Sequence, residues 1–144
     1  DGIRIDKDKV KRSLKRLEKK RLISLRQEDE DLIVEFSRKG TYEIYKYKIK
    51  ELIIKKPKKW DKKWRIVIFD IPEKERSGRD ILRRKLGKLG FVSLQKSVFV
   101  YPYPCRKEIN FLVEILELEH YVVFIEADYI DNQKNLAHKF GLYL

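Results

Sequence analysis

The sequence of 144 residues predicts an α+β protein in two parts. One feature of the chain indicates the fold class, and a second indicates the division into two parts. Short apolar runs alternate with segments of helical period, which is typical of mixed folds. The formal charge of +12 is also uneven, because residues 1–63 hold 22 basic and 12 acidic side chains, whereas residues 64–144 hold 13 and 11. A basic part joined to a near-neutral part indicates that the first contacts a polyanion and the second has another role. A lysine-rich surface that is merely solvated gives the same counts.

The first part opens with a predicted basic helix, for which Asp6 and Asp8 are candidate N-caps. Val10, Leu14 and Leu17 recur with helical spacing and form an apolar stripe. The rest of this helix is dense in lysine and arginine. The candidate nucleic-acid contacts on it are Lys7, Lys11, Arg12, Lys15, Arg16 and Lys19.

Two short strands follow the basic helix. Residues 22–27 and 32–37 are rich in apolar residues around an acidic turn, Glu28–Asp31. Ser37 is placed to cap a further helix, and an apolar stripe on that helix would brace the hairpin. The stripe consists of Tyr42, Tyr45, Ile49 and Leu52. Residues 57–63 carry a proline and several lysines and are predicted to form a basic linker.

KVKRSLKRLEKKRLI followed by FSRKG is similar to the recognition helix and wing that end a winged helix-turn-helix in many bacterial regulators. We therefore expect residues 1–56 to be a partial winged-helix domain. The two helices that normally precede the recognition helix have no counterpart in the sequence, so we expect the chain to be a piece of a longer protein. Four successive acids at the wing would repel phosphates, so the helix is expected to make the DNA contacts.

The second part begins at Trp64 with an apolar strand that ends at Asp70 and Pro72. Helix, two strands, helix and strand follow, which gives the order βαββαβ of a ferredoxin-like domain with both helices on one face of the sheet. The predicted segments after the first strand are 79–89, 91–94, 97–101, 104–118 and 121–125. Gly90 is expected to cap the first of these helices. Residues 131–144 form an extension, predicted as a short helix and a terminal strand.

FDIP after an apolar strand, and then LGFVSLQKSVFVYP, resemble the small CRISPR-associated nuclease fold, Cas-two. They equally resemble the Cas-two-like central domain of the phenylacetate-degradation repressor family, PaaX. The resemblance covers residues 64–130 and is sharpest at QKSVF, Gln95–Phe99. Both relatives pair into two-fold dimers, so the resemblance implies a homodimer in which two copies cover the open sheet face.

Asp70 is the candidate catalytic and metal-binding residue under the nuclease alternative. In the nuclease family the matching aspartate from each protomer is assigned to a shared Mg²⁺, with a serine, here Ser97, nearby. The other interpretation is that Asp70 caps the turn that follows its strand. The resemblance to the repressor family favours the second interpretation, because these relatives share this strand end and act by binding.

These features together predict a cytoplasmic, DNA-binding transcriptional regulator of PaaX type that acts as a homodimer on double-stranded DNA, without a cofactor. A metal-dependent endonuclease or CRISPR spacer-acquisition subunit is the alternative, and a purely structural dimerisation module is the third. The single cysteine and the two histidines supply no internal disulfide and no zinc site. No apolar run is long enough for a membrane helix, and the sequence identifies no small-molecule effector.

Overall fold

The computed structural model describes residues 6–144, which divide into two compact units. Unit 1 ends at Glu51 and unit 2 begins at Leu52. Unit 1 contains α1 (Lys7–Lys19), β1 (Ile23–Glu28), β2 (Asp31–Phe36) and α2 (Arg38–Glu51). Among the helices of residues 6–144, none is long and apolar enough to cross a membrane.

Backbone caps define both ends of α1. The Asp6 carboxylate accepts hydrogen bonds from the backbone N–H groups of Asp8 and Lys9, so Asp6 is the N-cap and Asp8 lies in the first turn. At the other end Arg21 takes the left-handed conformation, with φ of 59°, and the Leu22 N–H bonds back to the Leu17 carbonyl oxygen. This Schellman-type ending turns the chain directly into β1.

The junction of the hairpin with α2 depends on Ser37 and Gly40. The Ser37 hydroxyl accepts a hydrogen bond from the Gly40 N–H at 3.0 Å, which satisfies a free donor of the first turn. The same hydroxyl donates to the Arg21 carbonyl oxygen at 2.6 Å. A β-carbon at Gly40 would overlap the carbonyl oxygen of Leu22, so only glycine allows α2 to approach the start of β1 this closely.

Unit 2 has the predicted βαββαβ order. Its elements are β3 (Trp64–Phe69), α3 (Arg76–Lys88), β4 (Val92–Gln95), β5 (Val98–Tyr101), α4 (Arg106–Ile115) and β6 (Val122–Ala127), followed by α5 (Gln133–Lys139). The strands lie in the order β4-β5-β3-β6, and all neighbours are antiparallel. This is the ferredoxin-like arrangement, so the predicted fold class is confirmed. Gly90, with φ of 98°, ends α3 as predicted.

One face of this sheet forms the main core with α3 and α4. Val67 and Phe69 of β3 point to this face and are buried, and Phe69 stacks on Phe99 of β5. Arg106 of α4 lies over the ring of Phe124, which places this helix on the same face. The buried helical residues are Leu82, Leu86, Ile109, Leu112 and Val113.

The C-terminal extension covers part of the other sheet face. Leu136 and Ala137 of α5 join Trp64 and Val100 in a buried cluster, against which Phe140 also packs. The predicted terminal strand is wrong, because residues 140–144 form no strand. Gly141, with φ of 67°, instead ends α5 in a Schellman motif, and this turn brings Leu142 onto the same cluster.

Candidate nucleic-acid interface

The basic surface of α1 is the largest concentration of positive charge in unit 1. Because α1 is a regular helix, Val10, Leu14 and Leu17 lie on one side, most of the basic residues lie on the rest of its surface, and Lys7 lies beside the apolar stripe, two turns before Leu14. All six predicted contact residues are exposed, and one helix brings them together: Lys7, Lys11, Arg12, Lys15, Arg16 and Lys19. A continuous cationic face of this kind fits a row of phosphates.

Within the described part of the chain, no acidic side chain pairs with the cations of this face. Within residues 6–144, none of the six side chains forms an ion pair, and Arg12 donates only to the Asp8 carbonyl oxygen, at 3.4 Å. Glu18, which shares the helix, instead accepts a hydrogen bond from the Leu25 N–H of β1. The cationic face is therefore available to an external anion.

The hairpin tip has the opposite charge. Residues 28–31 are all acidic and exposed. Arg26 neutralises part of this charge, because its guanidinium lies 2.9 Å from Glu28 and 3.6 Å from Glu35. Asp29 and Glu30 have no such partner among the described residues, so this tip repels phosphates where the neighbouring helix attracts them.

Asp70 lies just beyond β3 and is exposed. Its backbone N–H donates to the Tyr121 carbonyl oxygen, and the preceding Phe69 N–H donates to the Ser97 carbonyl oxygen. The structure thus brings Asp70 and Ser97 to the same end of the sheet. Backbone hydrogen bonds close the turn that follows, including one from the Glu75 N–H to the Pro72 carbonyl oxygen at 2.9 Å. The cap by the Asp70 side chain stays a prediction.

A single chain does not assemble a metal site around Asp70. Among residues 6–144, no group of three or more His, Cys, Asp or Glu side chains is placed to hold an ion. Of the neighbouring acids in sequence, Glu73 and Asp80 are engaged in ion pairs with Arg76 and Arg79, and Glu75 joins no group of three. The described acids around Asp70 therefore form no metal site of three protein ligands within one chain.

The ion pair of the buried Arg65 with the exposed Asp61 was not predicted from the sequence. Arg65, on the core face of β3, is buried and donates to the two Asp61 oxygens at 2.7 and 2.5 Å and to the Pro102 carbonyl oxygen at 2.9 Å. The Arg65 hydrogen bonds lower the pKa of Asp61, and the same pairing raises the pKa of Arg65. An arginine inside an apolar strand was the available signal. The pair anchors the start of unit 2 rather than binding a ligand.

Cys105 is buried beside this pair and has no disulfide partner. Burial raises the pKa of its thiol to about 12, so at neutral pH the group is a protonated thiol with little nucleophilic character. Cys105 is therefore a packing residue.

A family comparison accounts for unit 2. Residues 57–138 match the family described as the PaaX protein central Cas2-like domain. The match spans more than half of the chain and includes all four strands of the ferredoxin-like sheet. No curated protein matches the chain. The chain therefore belongs to the PaaX family and carries its central Cas2-like domain.

Proposed function

We propose that this PaaX-family chain is a transcriptional regulator that binds double-stranded DNA through α1, with the acidic hairpin as its wing. The observation that supports this proposal is the exposed cationic face of α1, which has no internal counter-charge in the described chain. α1, β1, β2 and α2 follow one another as the last helix, wing and following helix of a winged helix-turn-helix do. In such modules the helix enters the major groove and its flanking cations contact the backbone.

The salt dependence of binding tests this role. About five phosphate contacts give a slope of log K against log salt of about −4 to −5, because each contact contributes about −0.9. Lys11→Glu/Lys15→Glu/Lys19→Glu should weaken duplex binding severely and flatten the slope. The control with the same charge change is Lys107→Glu/Lys134→Glu/Lys139→Glu, which reverses three exposed lysines of unit 2. If both triple variants lost the same amount of duplex affinity, binding would reflect only non-specific attraction between the net positive charge and DNA. That result would reject α1 as the binding helix.

The hairpin tip supplies an opposite test of the same geometry. Asp29→Lys/Glu30→Lys should tighten duplex binding, because it replaces repulsion of the phosphates by attraction at the wing. A tip that lies far from the duplex would leave affinity unchanged at low salt. Titration of labelled duplex at 50 mM salt distinguishes the two results.

We also propose that the sheet of unit 2 forms a homodimer. After α5 has covered Trp64, an apolar strip on β6 stays open on this face: Val123 is 56% exposed and Ile125 is 38% exposed. A second copy would bury this strip against its own counterpart. Val123→Asp/Ile125→Asp should then convert the full chain to monomer in sedimentation at tens of micromolar, whereas Tyr143→Asp, at an exposed residue outside the sheet, should not. A parent chain that sediments only as a monomer contradicts this proposal.

Asp70 is proposed to have no catalytic role. A magnesium ion shared between two protomers needs both Asp70 carboxylates close together, and without the ion their repulsion would oppose dimerisation. The test incubates the protein with labelled DNA and RNA, with Mg²⁺, Mn²⁺ or chelator, beside Asp70→Asn. Cleavage that needs metal and disappears in Asp70→Asn would establish the nuclease alternative instead.

A further inference from the structure

The exposed face of α2 differs from the brace that its sequence predicts. Tyr42 and Tyr45 lie on one stripe with Ile49, yet Tyr42 is 55% exposed and Tyr45 is 40% exposed. The helix contacts the start of β1 through Gly40, which lies on the opposite side of α2. Two aromatic rings therefore face away from the surface on which α2 packs within unit 1.

Cations surround these rings. Arg38 precedes Tyr42 by one turn and shares its stripe, and the Lys46 ammonium lies 5.5 Å from the centre of the Tyr42 ring. Lys46 also lies 3.9 Å from Glu43, but both side chains are exposed, so this ion pair holds it only weakly. The stripe thus combines flat aromatic surface with positive charge.

We propose that this stripe binds single-stranded nucleic acid, with unpaired bases stacked on Tyr42 and Tyr45 and phosphates held by Arg38 and Lys46. The positive charge selects a polyanion, and exposed rings add a stacking surface that any unpaired base can use. Tyr42 and Tyr45 are separated by about 4.5 Å along the helix axis, a spacing that two successive bases can follow. Bases inside a duplex present no free face to such rings, so the stripe should prefer single strands.

This site is separate from the duplex-binding face proposed above. α1 contains no aromatic residue, so it offers charge without stacking. α2 offers both, on a different element of unit 1. The inference does not depend on the regulator proposal, and the two fail independently because different variants remove them.

Fluorescence anisotropy with a labelled oligothymidine of about 12 nucleotides tests the proposal, with a hairpin duplex as the second probe. Replacing both rings in Tyr42→Leu/Tyr45→Leu, which keeps apolar bulk, should weaken oligothymidine binding at least about tenfold, since stacking contributes about 1–3 kcal/mol per base. Tyr42→Phe/Tyr45→Phe should bind within about twofold of the parent, because the aromatic face is retained. Tyr47→Leu on the same helix is the control, since Tyr47 is exposed but lies off the stripe.

The α1 triple reversal separates this site from the duplex-binding face. When the α1 triple reversal is present, duplex binding should be lost. Tyr42→Leu/Tyr45→Leu should still weaken oligothymidine binding by the same factor as it does without the reversal. A Tyr42→Leu/Tyr45→Leu variant that binds oligothymidine as tightly as the parent would overturn the proposal. So would a loss of the same size for duplex and single strand, or a Phe variant as weak as the Leu variant.

Discussion

Unit 1 and unit 2 differ in how they use their apolar residues. In residues 6–51, Ile23 is the single buried hydrophobic side chain, and exposed ones include Phe36 and Tyr47. Unit 2 buries seventeen hydrophobic side chains, among them Trp64, Leu82 and Leu112. The β1–β2 ladder, backbone caps and one close glycine contact hold unit 1 together, whereas a packed core holds unit 2 together.

The contrast has a functional meaning. A unit without much of a core directs most of its side chains outward, and in unit 1 those side chains are the cations of α1 and the rings of α2. Unit 2 supplies the packed sheet whose open strip is the surface of the proposed dimer. The binding proposed for unit 1 should therefore be sensitive to changes at charged and aromatic positions, whereas the stability of unit 2 should be sensitive to changes at buried positions.

The largest expected effect is loss of the unit 2 core at Trp64. Trp64→Ala should lower the free energy of unfolding of unit 2 by about 3–5 kcal/mol, because a fully buried tryptophan leaves a cavity. Tyr47→Ala in unit 1, at a residue that is 64% exposed, should change stability by less than about 0.5 kcal/mol. Urea unfolding measures both changes in stability. Trp60 fluorescence follows the unfolding of unit 2, and circular dichroism follows the unfolding of the whole chain. Similar losses at the two sites would contradict the contrast in packing.

The next effect concerns the ion pair that begins unit 2. Asp61→Asn should cost about 1–3 kcal/mol at neutral pH, because it leaves the buried Arg65 guanidinium with only Glu126, 3.7 Å away, as counter-charge, while partial exposure of Asp61 limits the loss. The pKa of Asp61 in the folded state lies below its usual value of 3.8. The pair therefore stabilises the fold above about pH 4, and this contribution is lost as the pH falls through the lowered pKa.

Urea unfolding of the parent and of Asp61→Asn from pH 7 to pH 3 measures this dependence. The gap between their unfolding free energies should be widest near pH 7 and should narrow below about pH 4. Asp128→Asn, at an exposed acid of the same unit, is the control and should follow the parent throughout. A constant gap at every pH would show that the pKa of Asp61 is not lowered by Arg65.

Glycine substitution probes the close contact that holds unit 1. Gly40→Ala should destabilise unit 1 by about 1–3 kcal/mol, because the new methyl group overlaps the Leu22 carbonyl oxygen. Gly87→Ala on α3 of unit 2 meets no atom within 4 Å and should instead stabilise by about 0.5–1 kcal/mol through helix propensity. Hydrogen exchange of the β1 and β2 backbone amides measures the stability of unit 1 separately from that of unit 2. Unchanged exchange in Gly40→Ala would show that α2 is not tied to the start of β1.

The sequence predicted what depends on local pattern. Asp6 at the N-cap, Gly90 after α3 and the apolar run of β3 each have a signal within a few residues, and all three have the predicted role. The βαββαβ order followed from the spacing of such signals. The cationic face of α1 was also readable, because helical period alone places those residues on one side.

Features that depend on tertiary packing were missed. Asp61 lies in a lysine-rich segment that resembles a linker, and although Arg65 is only four residues further on, the sequence does not show that this arginine is buried on the core face of β3. FGLYL has the composition of a strand, but Phe140 and Leu142 pack on Trp64 and Gly141 turns the chain between them. The exposure of Tyr42 was likewise hidden, because an aromatic stripe with helical period looks the same whether or not a neighbour covers it.

The smallest expected effect compares two helix ends with the same geometry, one in each unit. Arg21 after α1 and Glu117 after α4 both occupy the left-handed C′ position, with φ of 59° and 55°, where other helices of this chain have glycine. A side chain at this position costs about 1–2 kcal/mol of backbone strain. Substitution by glycine removes this strain, but part of the gain is lost because glycine has greater conformational freedom in the unfolded chain. Arg21→Gly should therefore stabilise unit 1, and Glu117→Gly unit 2, by about 0.5–1 kcal/mol each. Hydrogen exchange at the last turn of α1 and of α4 resolves the two units, with Arg21→Lys and Glu117→Gln as controls that keep the strain. Faster exchange in either glycine variant would mean that the side chain at that helix end makes a stabilising contact that outweighs its backbone strain.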